Sequence, residues 1–125
     1  MNVQIAKNAY SKIKKETRSN EKVSHSNVGL ALKKLQSSME NMQQHEEGEI
    51  FQKSWKNAIY SIYFLQKSLD FDKGGEIATN LFRLYEFCKI TIQEVAISGQ
   101  SEKSNLHKCV EFIDQIIISW EKIYE

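Results

Sequence analysis

The sequence predicts an all-α protein: an antiparallel up-down four-helix bundle with an N-terminal basic arm or short helix. Three observations carry this. Proline is absent and only five glycines occur in 125 residues, so little interrupts long helices. Apolar residues recur at steps of three and four along four stretches. The breaks between those stretches are short, and connections that short force consecutive helices to run antiparallel. The length fits one domain, residues 1–125, with 1–19 read as an arm.

The arm is set apart by charge. Residues 1–22 hold Lys7, Lys12, Lys14, Lys15, Arg18 and Lys22 against Glu16 and Glu21, a net of +4 in a chain whose total is +1. Two readings stand for such an arm: a solvated, poorly ordered terminus, which is the favoured one, or a segment that docks on the slightly acidic body or on an acidic partner. The first helix carries one apolar stripe of Val28, Leu32, Leu35, Met39 and Met42. Its start has two readings. Either Ser19-Asn20 caps a helix running to about His45, or Ser24, Ser26 and Asn27 keep the chain irregular until Val28 through their own backbone hydrogen bonds. The longer helix is the favoured one.

Gly48 marks the first turn, and Glu46, Glu47 and Glu49 suit the positive end of the helix dipole that follows. The second helix presents Phe51, Trp55, Ile59, Ile62, Leu65 and Leu69, with Tyr60, Tyr63 and Phe64 in excess of one stripe. Asp70 to Gly75 ends it. In the third helix Ile77, Leu81, Leu84, Cys88, Thr91 and Val95 form one face, while Phe82, Tyr85, Phe87, Ile90 and Ile97 populate others. A helix apolar over so much of its circumference is central or keeps surface for a partner. Ser98 to Ser101 breaks the chain again, with Gly99 read as a C-terminal cap and Ser101 as an N-cap. The last helix runs Leu106, Cys109, Val110, Ile113, Ile116, Ile117, Trp120 and Ile123.

Several function classes are disfavoured. A net charge of +1 gives no global field for nucleic acid or an acidic membrane. No apolar run reaches the roughly 18 residues that span a bilayer, so membrane insertion is not expected. The opening MNVQIAKNAY lacks the layout of a cleaved signal peptide, and the expectation is a cytoplasmic protein. There Cys88 and Cys109 are read as reduced core thiols, a disulfide between them being the alternative that a reducing compartment opposes. His25, His45 and His107 lie at no metal-ligand spacing from one another or from a cysteine, so no metal is expected. Gly74-Gly75 lacks the companions of a phosphate loop and reads as a tight turn. No nucleophile–base arrangement is legible. The expectation is a non-enzymatic protein with no catalytic residues and no cofactor.

One segment points further. Ser68 to Phe87, SLDFDKGGEIATNLFRLYEF, joins the Asp-Lys-Gly-Gly break to a helix bearing Ala78, Asn80, Leu81, Leu84 and Tyr85. This resembles the signature of the flagellar export chaperone family FliS, L-D-x-x-x-G-G-E-x-A-x-N-L-x-x-L-Y. Asn8-Ala9-Tyr10 is similar to that family's short N-terminal motif, and Ser119-Trp120-Glu121-Lys122-Ile123 to its terminal ending. The resemblance covers nearly the whole chain, most closely over residues 65–88. It departs at Ser19 to Gly29, where the family's proline step is missing, at Lys89, an apolar position in the family, and at Val95-Ala96.

The resemblance implies a cytoplasmic export chaperone. Such a protein binds the disordered C-terminal segment of flagellin, prevents premature polymerisation and delivers its client to the flagellar type III export apparatus. It implies a flagellin groove at Asn80, Leu81, Leu84 and Tyr85, with Tyr10 and Ile13 on the arm that covers it. The client-free state is left open between a monomer and a homodimer, with the client surface as the interface in question. The alternative reading is a helical protein-interaction or phosphotransfer-type regulatory module, with His107 as the residue to label.

Overall fold

A computed structural model describes residues 18–98 and 103–123. These form four helices: α1 (Arg18–Gln44), α2 (Glu49–Lys67), α3 (Phe71–Ser98) and α4 (Lys103–Glu121). Each packs against two neighbours. α1 lies against α2 and α4, and α3 lies against α2 and α4, which is the cyclic order of an up-down four-helix bundle. The longer reading of the first helix holds in extent, since α1 spans Arg18–Gln44, but Ser19 and Asn20 lie within the helix rather than capping it.

The stripe of α1 goes fully inside: Val28, Leu32, Leu35, Met39 and Met42 are all buried. From α4 the core receives Leu106, Cys109, Val110, Ile113, Ile116, Ile117 and Trp120, and from α2 it receives Phe51, Ala58, Ile62 and Leu65. Burying each large aliphatic chain contributes about 1.5–3 kcal/mol, so the four converging stripes hold the fold. Polar links brace the α1–α4 seam. Gln36 donates to Asp114, Lys33 pairs with Glu121 at 2.8 Å, and His25 packs against Trp120.

α3 differs from its sequence reading. The buried line is Ala78, Leu81, Tyr85, Cys88, Ile92 and Val95, with Thr91 beside it; Ile77 and Leu84 are only partly buried. Tyr85, assigned by periodicity to another face, is a core residue with no exposed surface. A helix apolar nearly all round has no unique stripe, and contact with α2 and α4 decides which line goes inside. Phe82, Phe87, Ile90 and Ile97 stay exposed, as do Tyr60, Tyr63 and Phe64 on α2.

The expected break before α3 has a definite form. The Asp70 carboxylate accepts the Lys73 backbone N–H at 3.1 Å, and its carbonyl accepts that of Gly74 at 2.8 Å. Asp70 thereby caps a single helical turn. Gly75 then takes φ 51, ψ −124, a conformation open to glycine and strained for other residues, and the helix resumes in a new direction. The 1–17 part of the arm and the Gly99 and Ser101 caps lie outside the described residues.

Candidate functional site

A groove of about 420 Å³ opens between α3 and α4. Ile77, Asn80, Leu81 and Leu84 line it from α3, and Phe112, Gln115, Ile116 and Ser119 from α4. It exists because the two facing helices place short or polar residues, Asn80 and Ser119, where larger side chains would close the seam. The apolar side chains form its walls, while amides and a hydroxyl supply its polar groups. No charged side chain lines it. Such a surface can take an amphipathic segment whose apolar anchors enter the groove while its backbone or polar groups meet Asn80 and Gln115.

Of the six residues expected at a partner site, the structure brings Asn80, Leu81 and Leu84 together in this groove. Tyr85 lies behind it in the core. Burial pushes its phenol well above the usual tyrosine range, and the neighbouring Cys88 adds to the shift. Tyr10 and Ile13 lie outside the described residues. The α4 wall went unread in the sequence. Phe112 carried the available signal, being an aromatic residue off the apolar stripe of its helix, and it remains 42% exposed.

A second apolar surface runs over α2 and α3. Tyr60 is 74% exposed and Tyr63 53%, and the Phe71 and Phe82 rings meet at 6.1 Å. Lys89 lies in this region, its ammonium 2.9 Å from Glu86 and 5.4 Å from the Tyr63 ring centroid. Gln66 donates to the same Glu86 carboxylate at 2.8 Å. The hydrogen bond from Gln66, and after it that from Lys89, lowers the Glu86 pKa. The Lys89 cation is thus compensated by a carboxylate and an aromatic face.

Among the described residues no three His, Cys, Asp or Glu side chains gather as a metal site. His107 is largely exposed, with Nε2 2.9 Å from the Glu111 carboxylate. No described helix is long and apolar enough to cross a membrane.

Neither the curated proteins nor the solved structures include a match to this chain. A family model does match, that of the flagellar protein FliS, and it does so over residues 2–125. That span takes in the Asp70–Gly75 break and both walls of the α3–α4 groove, so the chain belongs to the FliS family of flagellar export chaperones.

Proposed function

We propose that this protein is a cytoplasmic export chaperone that binds the disordered C-terminal segment of flagellin. It holds that segment back from polymerisation and hands it to the flagellar type III export apparatus. The observation that supports this reading most is the uncharged groove between α3 and α4, with the signature residues Asn80, Leu81 and Leu84 on one wall. Flagellin's C-terminal segment is disordered before assembly, and ordering it costs about 2–5 kcal/mol of the gross interaction energy. Only a client burying extensive apolar surface repays that cost. The exposed aromatic residues of α2 and α3 enlarge the area on offer.

In this reading Asn80 and Gln115 fix the register of a helical client segment through hydrogen bonds, and Leu81, Leu84 and Phe112 receive its apolar side chains. By the family resemblance, Tyr10 and Ile13 belong to an arm that covers the groove until the client displaces it. The client-free homodimer would use the same surface.

Calorimetry with the C-terminal segment of the same organism's flagellin tests the proposal. One-to-one binding with a negative heat-capacity change is expected, the mark of apolar burial. Absence of heat, together with an unchanged elution volume for the mixture, would reject flagellin as the client.

A further inference from the structure

The outer face of α2 is built for packing against a further helix. Lys56, Tyr60, Tyr63 and Lys67 follow one another at steps of four, three and four, the spacing of a coiled-coil seam. All four side chains are exposed. α3 supplies the opposite bank. Gln66 donates to Glu86 at 2.8 Å and Lys89 lies over the Tyr63 ring. Antiparallel α3 therefore carries its exposed Phe82, Ile90 and Ile97 along the same seam. Fifteen helical steps separate Phe82 from Ile97, about 22 Å, which is the length of a four-turn partner helix.

Charge narrows the choice of occupant. The one acid of α2, Glu49, is paired with Lys53 at 3.2 Å. Lys56 and Lys67 flank the two tyrosines, and among the described residues no carboxylate pairs with either. On the α3 bank Arg83 and Glu94 offset each other, and Lys89 is paired with Glu86 at 2.9 Å. The face is thus apolar in the middle and basic along its α2 edge. A second copy packed α2 on α2 would set lysine against lysine in either direction, Lys56 on Lys67 or Lys56 on Lys56. The N-terminal arm, with Lys7, Lys12, Lys14 and Lys15 against Glu16, is repelled in the same way. Inserting the face into lipid would desolvate the Gln66–Glu86–Lys89 network at its centre.

We propose that the α2–α3 face docks an acidic amphipathic helix of a second protein partner, at a site separate from the α3–α4 groove. The apolar residues of that helix pack between the tyrosines of α2 and Ile90 of α3. Its carboxylates reach Lys56 and Lys67, which lie eleven residues apart. Acids about three turns apart on the partner therefore meet both cations at once. Tyrosine suits such a contact, because the ring is covered while the hydroxyl keeps a hydrogen bond at the edge. The two faces use different sides of α3, so both can be occupied together.

The probe is a synthetic four-turn helical peptide with leucines along a coiled-coil seam and glutamates beside them. A twin peptide carries lysine in place of each glutamate. Calorimetry should give one-to-one binding of the acidic peptide and at least tenfold weaker binding of the basic twin. Joint Lys56→Glu and Lys67→Glu substitution should reverse that preference. Tyr60→Ser should weaken the acidic peptide at least tenfold, whereas Phe112→Ser in the groove should change it less than threefold. These substitutions all fall on exposed side chains, and unchanged thermal midpoints verify folding. Equal binding of the two peptides, no heat with either, or loss on Phe112→Ser instead of Tyr60→Ser would overturn the proposal. Self-association abolished by Tyr60→Ser would also overturn it, assigning the face to a second copy. Co-sedimentation with phosphatidylglycerol vesicles abolished by the same variant would overturn it in favour of a membrane. Flagellin enters none of these measurements, so a failure here leaves the client reading of the groove intact.

Discussion

His25 and Trp120 exchange hydrogen bonds across the end of the bundle. His25 Nε2–H donates to the Trp120 carbonyl at 2.7 Å, Trp120 Nε1–H donates to the His25 carbonyl at 2.9 Å, and the rings stack 4.7 Å apart at 9°. The ring nitrogen that faces a carbonyl must be the protonated one, since a carbonyl only accepts. The pair fastens the start of α1 to the end of α4.

That exchange predicts coupled losses in stability. Trp120→Phe keeps most of the buried ring but removes the indole N–H that the His25 carbonyl accepts beyond its helical bond, and should cost about 0.5–1.5 kcal/mol. His25→Ala should cost a similar amount. The double variant should lose less than their sum, with a coupling of about 0.5–3 kcal/mol. Urea unfolding of the four proteins measures this, and strict additivity would mean that the two residues act independently.

Two glycines should respond oppositely to alanine. Gly29 lies within α1, and a Cβ there would make ordinary contact with Trp120 Cδ1 at 3.6 Å. Gly29→Ala should therefore stabilise by about 0.5–1 kcal/mol through helix propensity and a less flexible unfolded chain. At Gly75 a Cβ meets nothing within 4 Å, but φ is +51. Gly75→Ala should cost about 1–3 kcal/mol from backbone strain alone. Equal midpoints for the two variants in urea would contradict the bent start of α3.

The sequence made the helices legible and the relations between them much less so. Val28 to Met42 reads as one stripe because a single face of α1 is apolar, and that face is buried. α3 offers apolar residues on most faces, so periodicity placed Tyr85 outside the core and Ile77 and Leu84 within it. The signature identified Asn80, Leu81 and Leu84, but their opposite wall of Phe112, Gln115 and Ser119 depends on the register of two helices, which no local pattern encodes. The same holds for His25 and Trp120, 95 positions apart.

Burial of Tyr85 predicts an alkaline instability. Its phenol is raised well above 10.0 in the folded protein, by burial first and Cys88 second. The folded state thus keeps a proton that the unfolded chain releases near pH 10. The contribution is fully present below that pH and is lost as pH rises. Above about pH 10, stability should fall more steeply in the wild type than in Tyr85→Phe, by about 1.4 kcal/mol per pH unit. Parallel curves for the two proteins would show that the ring ionises freely in the folded state.

The groove and the exposed aromatic face make separable claims on the client. Phe112 is 42% exposed and Tyr60 is 74% exposed, so neither ring belongs to the buried core, and both variants should fold. If the client's apolar anchors enter between α3 and α4, Phe112→Ser should weaken binding of the flagellin C-terminal segment at least tenfold, about 1.4 kcal/mol or more. Leu84→Asp should do so more severely, because it sets an unpaired carboxylate in a groove whose other lining residues are uncharged. Tyr60→Ser, on the outer face of α2, should change the affinity less than threefold, about 0.6 kcal/mol. Calorimetry of the three variants, with thermal midpoints as the folding control, separates the two faces. The reverse ranking would place the client's principal anchors on α2, where the rings of Tyr60 and Tyr63 offer a broad surface but no recess. The affinity would then come from area spread over the aromatic face, and the cavity beside Asn80 would contribute little.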